Sequence, residues 1–405
     1  MTVYTSQQSG VTPQTVFAEL VGQDPVVEQL VSAARSQAPA HAWLLTGPPG
    51  SGRSNAARAF AAALNLEGTD PQADARRAEQ ILAGAHPAVQ LVTTENVTYN
   101  IKEVRELVTT AQDRPQNAQW RVIVVEDADR MTERTTNVLL KAIEEPPPQT
   151  IWVLCAPSPA DVLVTIRSRC RHVTLRIPPV AAVTDLLVHR DGLNREDAAF
   201  AARISQSHIG VARRLARDPE AMRRRNDVVS LPLKVRSASQ AVLAAEDLVS
   251  MAQTDAAAES EARLAEEHAA LRRTLGLDPE EKIPAKLRAQ FKRLEEESER
   301  RTKRAVHDAL DRTLIDLTGV YRDVLSLKLS AGVELINEHL RGELTQLAEH
   351  LSAEQALRCL DAINAARMRI GQNVPPKLAM EALMASLIPR GGTPRYGRPT
   401  RSSHG

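Results

Sequence analysis

The fold is decided by the stretch Gly47-Pro48-Pro49-Gly50-Ser51-Gly52-Arg53-Ser54. A loop of small residues such as this lets successive backbone N–H groups surround phosphate oxygens. In its usual form, a lysine before the final Ser or Thr reaches the β- and γ-phosphates. Arg53 takes the place of that lysine. Because a planar guanidinium cannot act as a compact ammonium at the same point, we expect a nucleotide site that keeps its shape and has altered chemistry.

Short apolar runs alternate with helical patterns around this loop, over about residues 17–176. This alternation predicts a parallel sheet covered by helices, and nearly all-apolar strands indicate burial on both faces. We predict a helix over residues 54–64, directly after the loop, which is the strand–loop–helix context that the motif needs. The predicted strands cover residues 41–45, 89–92, 121–125, 150–155 and 172–175.

The sequence after the pair Pro178-Pro179 has only helical patterns. We predict a nucleotide-binding-type domain over residues 1–178, a small helical domain over 179–237 and an all-helical domain over 238–390. The remaining residues, 391–405, are rich in Gly, Pro, Ser and Arg and are predicted to be disordered. Apolar residues that recur every three or four positions predict one face of a long helix. They are Val306, Leu310, Leu314, Leu317, Tyr321 and Val324.

A highly charged insert occupies about residues 255–304 of the helical region. It contains two narrow apolar stripes separated by Gly276, Pro279 and Pro284, which predicts a projecting, coiled-coil-like helical hairpin. The stripes are Leu264, His268, Leu271 and Leu275, then Leu287, Phe291 and Leu294. A solvated charged helix with no special role is the alternative.

Two further segments complete the predicted nucleotide site. Val21 and Gly22 form a turn before a helix, which either lines an adenine pocket or is a plain helix start. The apolar strand at 121–125 ends in Glu126 and Asp127, where a nucleotide hydrolase of this type holds Mg²⁺ and aligns the attacking water. The expected order of that pair is Asp then Glu, so each carboxylate is displaced by about 1 Å, enough to cost on the order of 10²-fold in rate. The alternative is that both acids only cap the strand and the next helix.

Composition limits the broad class of the protein. With 43 % hydrophobic and 25 % charged residues the chain is an ordinary globular one, and its formal net charge of +1 gives no global field to attract nucleic acid or membranes. Three widely spaced cysteines argue against a disulfide framework or a Cys-rich zinc site. Apolar runs are strand-sized and the first ten residues lack the apolar core of a signal peptide, so we expect a soluble cytoplasmic protein with no membrane partner.

A family resemblance follows from the order of these motifs. The sequence combines Val21-Gly22-Gln23, the strand and loop at 41–50, the helix motif at 137–147 and Ser168-Arg169-Cys170. The helix motif is Asn137-Val138-Leu139-Leu140-Lys141-Ala142-Ile143-Glu144-Glu145-Pro146-Pro147. In this order, the motifs resemble the sliding-clamp loaders of the AAA+ superfamily, and most of all the delta-prime subunits of bacterial DNA polymerase III. The resemblance covers about residues 17–217, and the rest matches only in being helical.

The resemblance implies a P-loop AAA+ domain, a helical lid and an all-helical collar domain. Arg169 would be an arginine finger that acts on the ATP site of a neighbouring subunit, a role worth roughly 10³–10⁵ in rate in comparable systems. Arg213 would be the lid arginine that senses bound phosphate; in isolation, such an arginine is more often a surface ion-pair partner. The implied partners are the motor and clamp-opening subunits of a hetero-pentamer and, through it, the sliding clamp and primer–template DNA.

The chain departs from the family at four places, and three of them weaken hydrolysis. The loop lysine is Arg53, the acidic pair is inverted, and Ala156-Pro157 occupies the place of a phosphate-sensing polar residue. The fourth departure is that residues 66–86 contain no cysteine, where many relatives hold zinc, so we predict no zinc and no other resident metal. ATP or ADP would bind weakly if at all, with Mg²⁺ present only beside a nucleotide.

Three functional hypotheses remain open. The first is a delta-prime-like stator that lends Arg169 in trans, has an impaired ATPase site and contains no polymerase active site. The second is an autonomous AAA+ ATPase in which Arg53 replaces the lysine. The third is an interaction protein whose working surface is the charged hairpin at 255–304.

Overall fold

A five-stranded parallel sheet forms the centre of the N-terminal part of the protein. In the computed structural model, which describes residues 11–94, 98–115, 117–235, 237–274, 284, 287–372 and 374–388, the strand order is β2-β3-β4-β1-β5. The strands are Ala42–Thr46 (β1), Val89–Val92 (β2), Arg121–Val125 (β3), Thr150–Ala156 (β4) and Arg171–Thr174 (β5). The predicted α/β fold class is confirmed, and the strand limits differ from the predicted ones by one residue at β1, β4 and β5.

Helices cover both faces of the sheet, as buried apolar strands require. Trp43 and Leu45 of β1 face a core shared with the first three helices, whereas Leu44 faces a separate core on the opposite side of the sheet. Alternate residues of a strand point to opposite faces, so one strand contributes to both cores. The first-face helices are Asp24–Ala34 (α1), Arg53–Leu64 (α2) and Pro71–Leu82 (α3); those of the second face are Ile101–Thr110 (α4), Glu133–Glu144 (α5) and Val164–Arg167 (α6).

Three short helices follow the sheet and pack mainly on one another. They are Val180–Asp191 (α7), Arg195–Ile204 (α8) and Ile209–Arg217 (α9). Their small core contains Val183, Leu187 and several alanines. All three belong to a compact unit that ends at Met222, and a second unit begins at Arg223. The predicted lid extends to residue 237, but Val228 and Val229 of the next helix pack in the core of the second unit. The predicted domain limits stay predictions.

The second unit is helical throughout its described residues. Its helices are Pro219–Lys234 (α10, which begins in the first unit), Ala238–Thr274 (α11), Arg288–Lys328 (α12), Arg341–His350 (α13), Ala353–Gly371 (α14) and Pro376–Leu387 (α15). The predicted apolar face from Val306 to Val324 is buried in this core at all six positions, as the sequence periodicity predicts. The predicted disordered tail, 391–405, lies outside the described residues.

The charged insert forms the ends of two long helices that pack against each other. The Ser260 and Ser298 hydroxyls are 2.8 Å apart, and the rings of His268 and Phe291 lie 5.3 Å apart. From Ser260 to His268 the residue numbers rise along α11, whereas those of the contacting residues on α12 fall from Ser298 to Phe291. The two helices are therefore antiparallel. Among the described residues between Ala256 and Ala305, none belongs to the core of the second unit. The described part of α11 beyond Ala256 is about 27 Å long, at 1.5 Å per residue.

A buried polar network fixes the centre of the second unit. Arg225 donates to Asp316 at 3.2 Å and to the amide oxygen of Asn337 at 2.8 Å. Asn337 in turn donates to Asp323 at 2.9 Å. Burial raises the pKa of Asp316 and lowers that of Arg225, so each partner is held charged by the other at a desolvation cost.

Candidate nucleotide site and arginine finger

The phosphate loop connects β1 to α2 at the carboxyl edge of the sheet. Gly50 and Gly52 have φ angles of +86° and +87°, a backbone conformation that non-glycine residues rarely adopt. No acidic side chain occupies the first turn of α2, and Gly52 makes no side-chain cap, so the positive end of the helix dipole faces the loop. The Ser51 hydroxyl is buried and has no hydrogen-bond partner among the described residues. The loop backbone therefore fits a phosphate group.

Arg53 does not extend away from the loop as the usual lysine would. Its guanidinium donates a hydrogen bond to the carbonyl of Gly47, at the other end of the same loop. The positive charge that should reach the β- and γ-phosphates is thus folded back on the loop backbone. The side chain that replaces the lysine does not fit the lysine's role.

A histidine from the lid lies directly against the loop. A Cβ atom added at Gly50 would lie 2.9 Å from both Cα and Cβ of His208. His208 is the N-cap residue of α9, and its ring accepts from the Val211 amide at 3.4 Å. The side of the loop at Gly50 is thus covered by backbone from the lid.

The predicted adenine-pocket turn is held by the next residue, Gln23. Its side-chain amide donates to the Ser51 carbonyl at 3.3 Å and to the Arg176 carbonyl, and accepts from the Arg176 amide at 3.2 Å. Gly22 has a φ of +68°, and a Cβ there would lie 2.8 Å from Pro179. The turn at Val21 and Gly22 therefore lies beside the phosphate loop and the start of the lid.

The acidic pair follows β3, at the same edge as the phosphate loop. Glu126 accepts a hydrogen bond from Arg58 of α2 at 2.8 Å, and its side chain is only 15 % exposed. Asp127 lies 3.9 Å from Arg130. The neighbouring Asp129 has a raised pKa, chiefly because of burial and then because of the Asp127 charge. The carboxylate expected to bind Mg²⁺ is thus already engaged with an arginine of the chain.

Arg169 lies two residues after the end of α6. Its Nη2 lies 2.6 Å from Oε1 of Glu144, and its Nη1 donates to the Thr165 carbonyl at 2.7 Å. The side chains of Arg169 and Glu144 are 39 % and 45 % exposed. The guanidinium is therefore held by one ion pair and one hydrogen bond and still reaches solvent.

Arg169 and the phosphate loop of the same chain lie at opposite edges of the sheet. In the parallel pairing of β1 and β5, Trp43 is level with Arg171 and Thr46 is level with Thr174. Arg169 precedes the first of these pairs, whereas the loop follows the second. Three residue steps of strand, about 10 Å at about 3.3 Å per residue, therefore separate the two edges. Arg169 therefore lies at the sheet edge opposite its own phosphate loop.

Arg213 is directed to an acid of the lid. Its Nε lies 2.8 Å from Oδ1 of Asp191, a side chain only 1 % exposed. Arg217 reaches the same oxygen at 3.0 Å, and Arg190 reaches Oδ2 at 3.0 Å. Arg213 is therefore an ion-pair partner in this structure, as the alternative interpretation of this arginine states. The phosphate-sensing role of Arg213 stays a prediction.

The structure thus brings most of the predicted nucleotide-site residues together. The loop, the turn at Gly22 and the acidic pair share one edge of the sheet, whereas Arg169 lies at the other. Sequence reasoning missed three residues that determine the geometry: Arg58, His208 and Glu144. A signal existed for Arg58, which follows Ser54 by one helical turn and so shares its face. The chain holds no comparable signal for His208.

No cluster of three or more His, Cys, Asp or Glu side chains able to hold a metal ion is found within the described ranges. The absence of zinc stays a prediction. No helix in the part of the chain that the structure describes is long and apolar enough to cross a bilayer.

The sheet-containing region is similar to known proteins. Residues 22–179 match the family model described as "DNA polymerase III, delta subunit". The polymerase III gamma/tau subunit of Mycobacterium tuberculosis is 31 % identical over 191 residues, which cover 45 % of this chain and 33 % of that protein. This region is similar in sequence to the clamp-loader subunits of DNA polymerase III.

Other relatives of this region are also polymerase III subunits. The tau subunit of Bacillus subtilis is 28 % identical over 160 residues, which cover 38 % of this chain and 28 % of the relative. The match thus spans about a third of the length of these relatives. A gamma subunit-related protein of Thermotoga maritima aligns structurally over 89 % of this chain and 97 % of its own, with 17 % identity and a TM-score of 0.42.

Proposed function

We propose that this protein is a delta-prime-like stator of a bacterial clamp loader, which lends Arg169 to the ATP site of a neighbouring subunit. The observation that supports this most directly is the position of Arg169 at the sheet edge opposite its own phosphate loop. A half-exposed arginine there can donate to a phosphate of another chain, and its distance from the loop argues against a role at its own site.

The geometry of the chain's own site supports a stator and not a motor. Arg53 bonds to the loop backbone, and Arg58 engages Glu126. Hydrolysis needs a cation at the γ-phosphate and a carboxylate that holds Mg²⁺, and both side chains are committed elsewhere. The loop would hold ATP or ADP weakly, through its backbone amides. These contacts argue against an autonomous ATPase.

The helical second unit would assemble as the collar with the motor and clamp-opening subunits of a hetero-pentamer. The whole assembly would open the sliding clamp and place it on primer–template DNA in the cytoplasm. Polymerase III names among the relatives support this setting, although the match covers only about a third of their length.

Replacing Arg169 in the reconstituted clamp loader tests the proposal. With Arg169→Ala, hydrolysis at the facing ATP site should fall by roughly 10³-fold or more. The DNA-stimulated ATPase rate of the whole assembly should then lose the part that this site contributes. Assembly, followed by gel filtration, should be unchanged because the side chain is half-exposed.

Arg195→Ala is the matched control, since Arg195 is also a surface arginine in one ion pair, with Asp185 at 2.8 Å. It should leave hydrolysis unchanged. An Arg169→Ala assembly that hydrolyses ATP at the wild-type rate would remove the finger from the proposal.

A further inference from the structure

The acid that contacts Arg169 stands at an unfavourable position. Glu144 is the last residue of α5, where the partial negative charge of the helix dipole disfavours a carboxylate by about 0.3–1 kcal/mol. Its partner is half-exposed, and such an ion pair contributes only about 0–1 kcal/mol to stability. The pair roughly offsets the local cost, so it adds little to the stability of the fold.

The same pair does fix the orientation of the guanidinium. Oε1 of Glu144 lies 2.6 Å from Nη2 as an ion pair, and the Thr165 carbonyl accepts from Nη1, so groups on α5 and α6 contact both arms of the fork. A guanidinium has five N–H donors in one plane. These two contacts leave Nε and further N–H groups of the fork without a short contact, apart from a long contact of Nη1 to Ser168 at 3.4 Å. Donors therefore remain for a phosphate.

We infer that Glu144 is the positioning residue for Arg169 and holds its guanidinium in the orientation that meets the phosphate of the neighbouring subunit. This inference rests on the proposed function. In this role the Glu144 oxygen, 2.6 Å from Nη2, acts by its fixed position beside the guanidinium, and its negative charge is secondary. A glutamine presents a carbonyl oxygen at the same reach, whereas an alanine presents none.

The experiment compares Glu144→Ala and Glu144→Gln in the reconstituted assembly, at saturating ATP and as a function of ATP concentration. Glu144→Ala should lower the Arg169-dependent part of the maximal rate by about tenfold, the lower end of the effect of removing an orienting partner. The ATP concentration for half-maximal rate should stay the same, because the ground-state contacts of ATP are unchanged. Glu144→Gln should retain most of the rate, because it keeps the acceptor.

Two controls separate positioning from a structural role. Glu145→Ala removes the adjacent acid, which makes no ion pair within the described part of the chain, and should behave as wild type. Glu144→Ala combined with Arg169→Ala should match Arg169→Ala alone, since Glu144 acts only through the arginine.

The outcomes are distinguishable. If Arg169→Ala lowers the rate while Glu144→Ala matches wild type, the positioning role is wrong and the finger stands. If Glu144→Gln and Glu144→Ala lose the same activity, the acceptor role is wrong. If Arg169→Ala itself has no effect, both the proposed function and the inference built on it are overturned.

Discussion

The guanidinium of Arg58 lies 2.8 Å from a carboxylate oxygen of Glu126, so α2 neutralises the first acid after β3 from within the chain. The two residues are 68 positions apart and meet at the carboxyl edge of the sheet. Because of this contact, we expect that restoring a single loop residue is insufficient to create a motor.

Restoring the lysine should therefore leave the isolated chain inactive. Arg53→Lys places an ammonium in the loop, but Glu126 remains bound to Arg58. We expect ATP turnover by the purified chain to stay within about twofold of wild type, a barrier change of under about 0.5 kcal/mol. Steady-state phosphate release measures this. A variant with brisk turnover would favour the autonomous ATPase.

Gly50→Ala tests the contact between the loop and the lid. The new Cβ would combine positive-φ strain of about 1–2 kcal/mol with a close contact to the His208 backbone. Gly68→Ala is the matched control, because Gly68 also has a positive φ and no atom lies within 4 Å of its added Cβ. We expect Gly50→Ala to cost at least about 1 kcal/mol more than the control in the free energy of unfolding. Equal losses in denaturant titrations would show that His208 does not crowd the loop.

Arg225→Ala should strongly destabilise the second unit, because it leaves Asp316 buried without its main partner. Breaking a buried pair in this way costs about 3–5 kcal/mol. Arg293→Ala removes an exposed pair with Glu297 and should change stability by less than about 0.5 kcal/mol. Thermal unfolding of the two variants measures the difference. Similar melting temperatures would contradict the importance of the buried network.

Stability should fall as the pH drops below about 6.5. Burial lowers the pKa of His86 and His172 in the folded state, so the unfolded chain binds more protons than the folded one and stability rises with pH. The contribution of these histidines to the free energy of unfolding is therefore fully present above their pKa in the unfolded chain. It is lost as the pH falls towards their lower pKa in the folded protein. His86 accepts from the Ala88 amide at 3.2 Å, which requires a neutral ring.

A comparison of His86→Asn with wild type isolates one of these groups. The variant does not titrate, so its free energy of unfolding should depend less steeply on pH between about 7 and 5. An unchanged slope would remove His86 from the effect.

The cysteines should react slowly in the folded protein. Burial raises the pKa of Cys155 and Cys170 to about 12 and also raises that of Cys359. At pH 8 a thiol with a pKa of 12 has a thiolate fraction of only about 10⁻⁴. A thiol-reactive dye should label all three cysteines within minutes after denaturation and none of them before it. One fast equivalent in the native protein would contradict this.

The sequence was sufficient for the sheet and for the apolar face of α12, because both depend on local periodicity. It was also sufficient to place the loop and Glu126 at one edge, since carboxyl ends of parallel strands meet there. It could not reveal that Arg53 folds onto Gly47, because the long side chain of an arginine can extend in either direction from this position. It also could not pair Arg58 with Glu126 or Glu144 with Arg169, because such contacts depend on the distance between elements and on rotamers.

Asp191 forms ion pairs with three arginines of its small domain. Arg190, Arg213 and Arg217 all contact its carboxylate, in a bundle whose apolar interior consists largely of alanine. Arg190 also lies 3.5 Å from Glu19. Within this small bundle, position 191 should therefore be the least tolerant of substitution. A neutral amide at position 191 would set three cations against one another, whereas the loss of any one arginine would leave the other two attached.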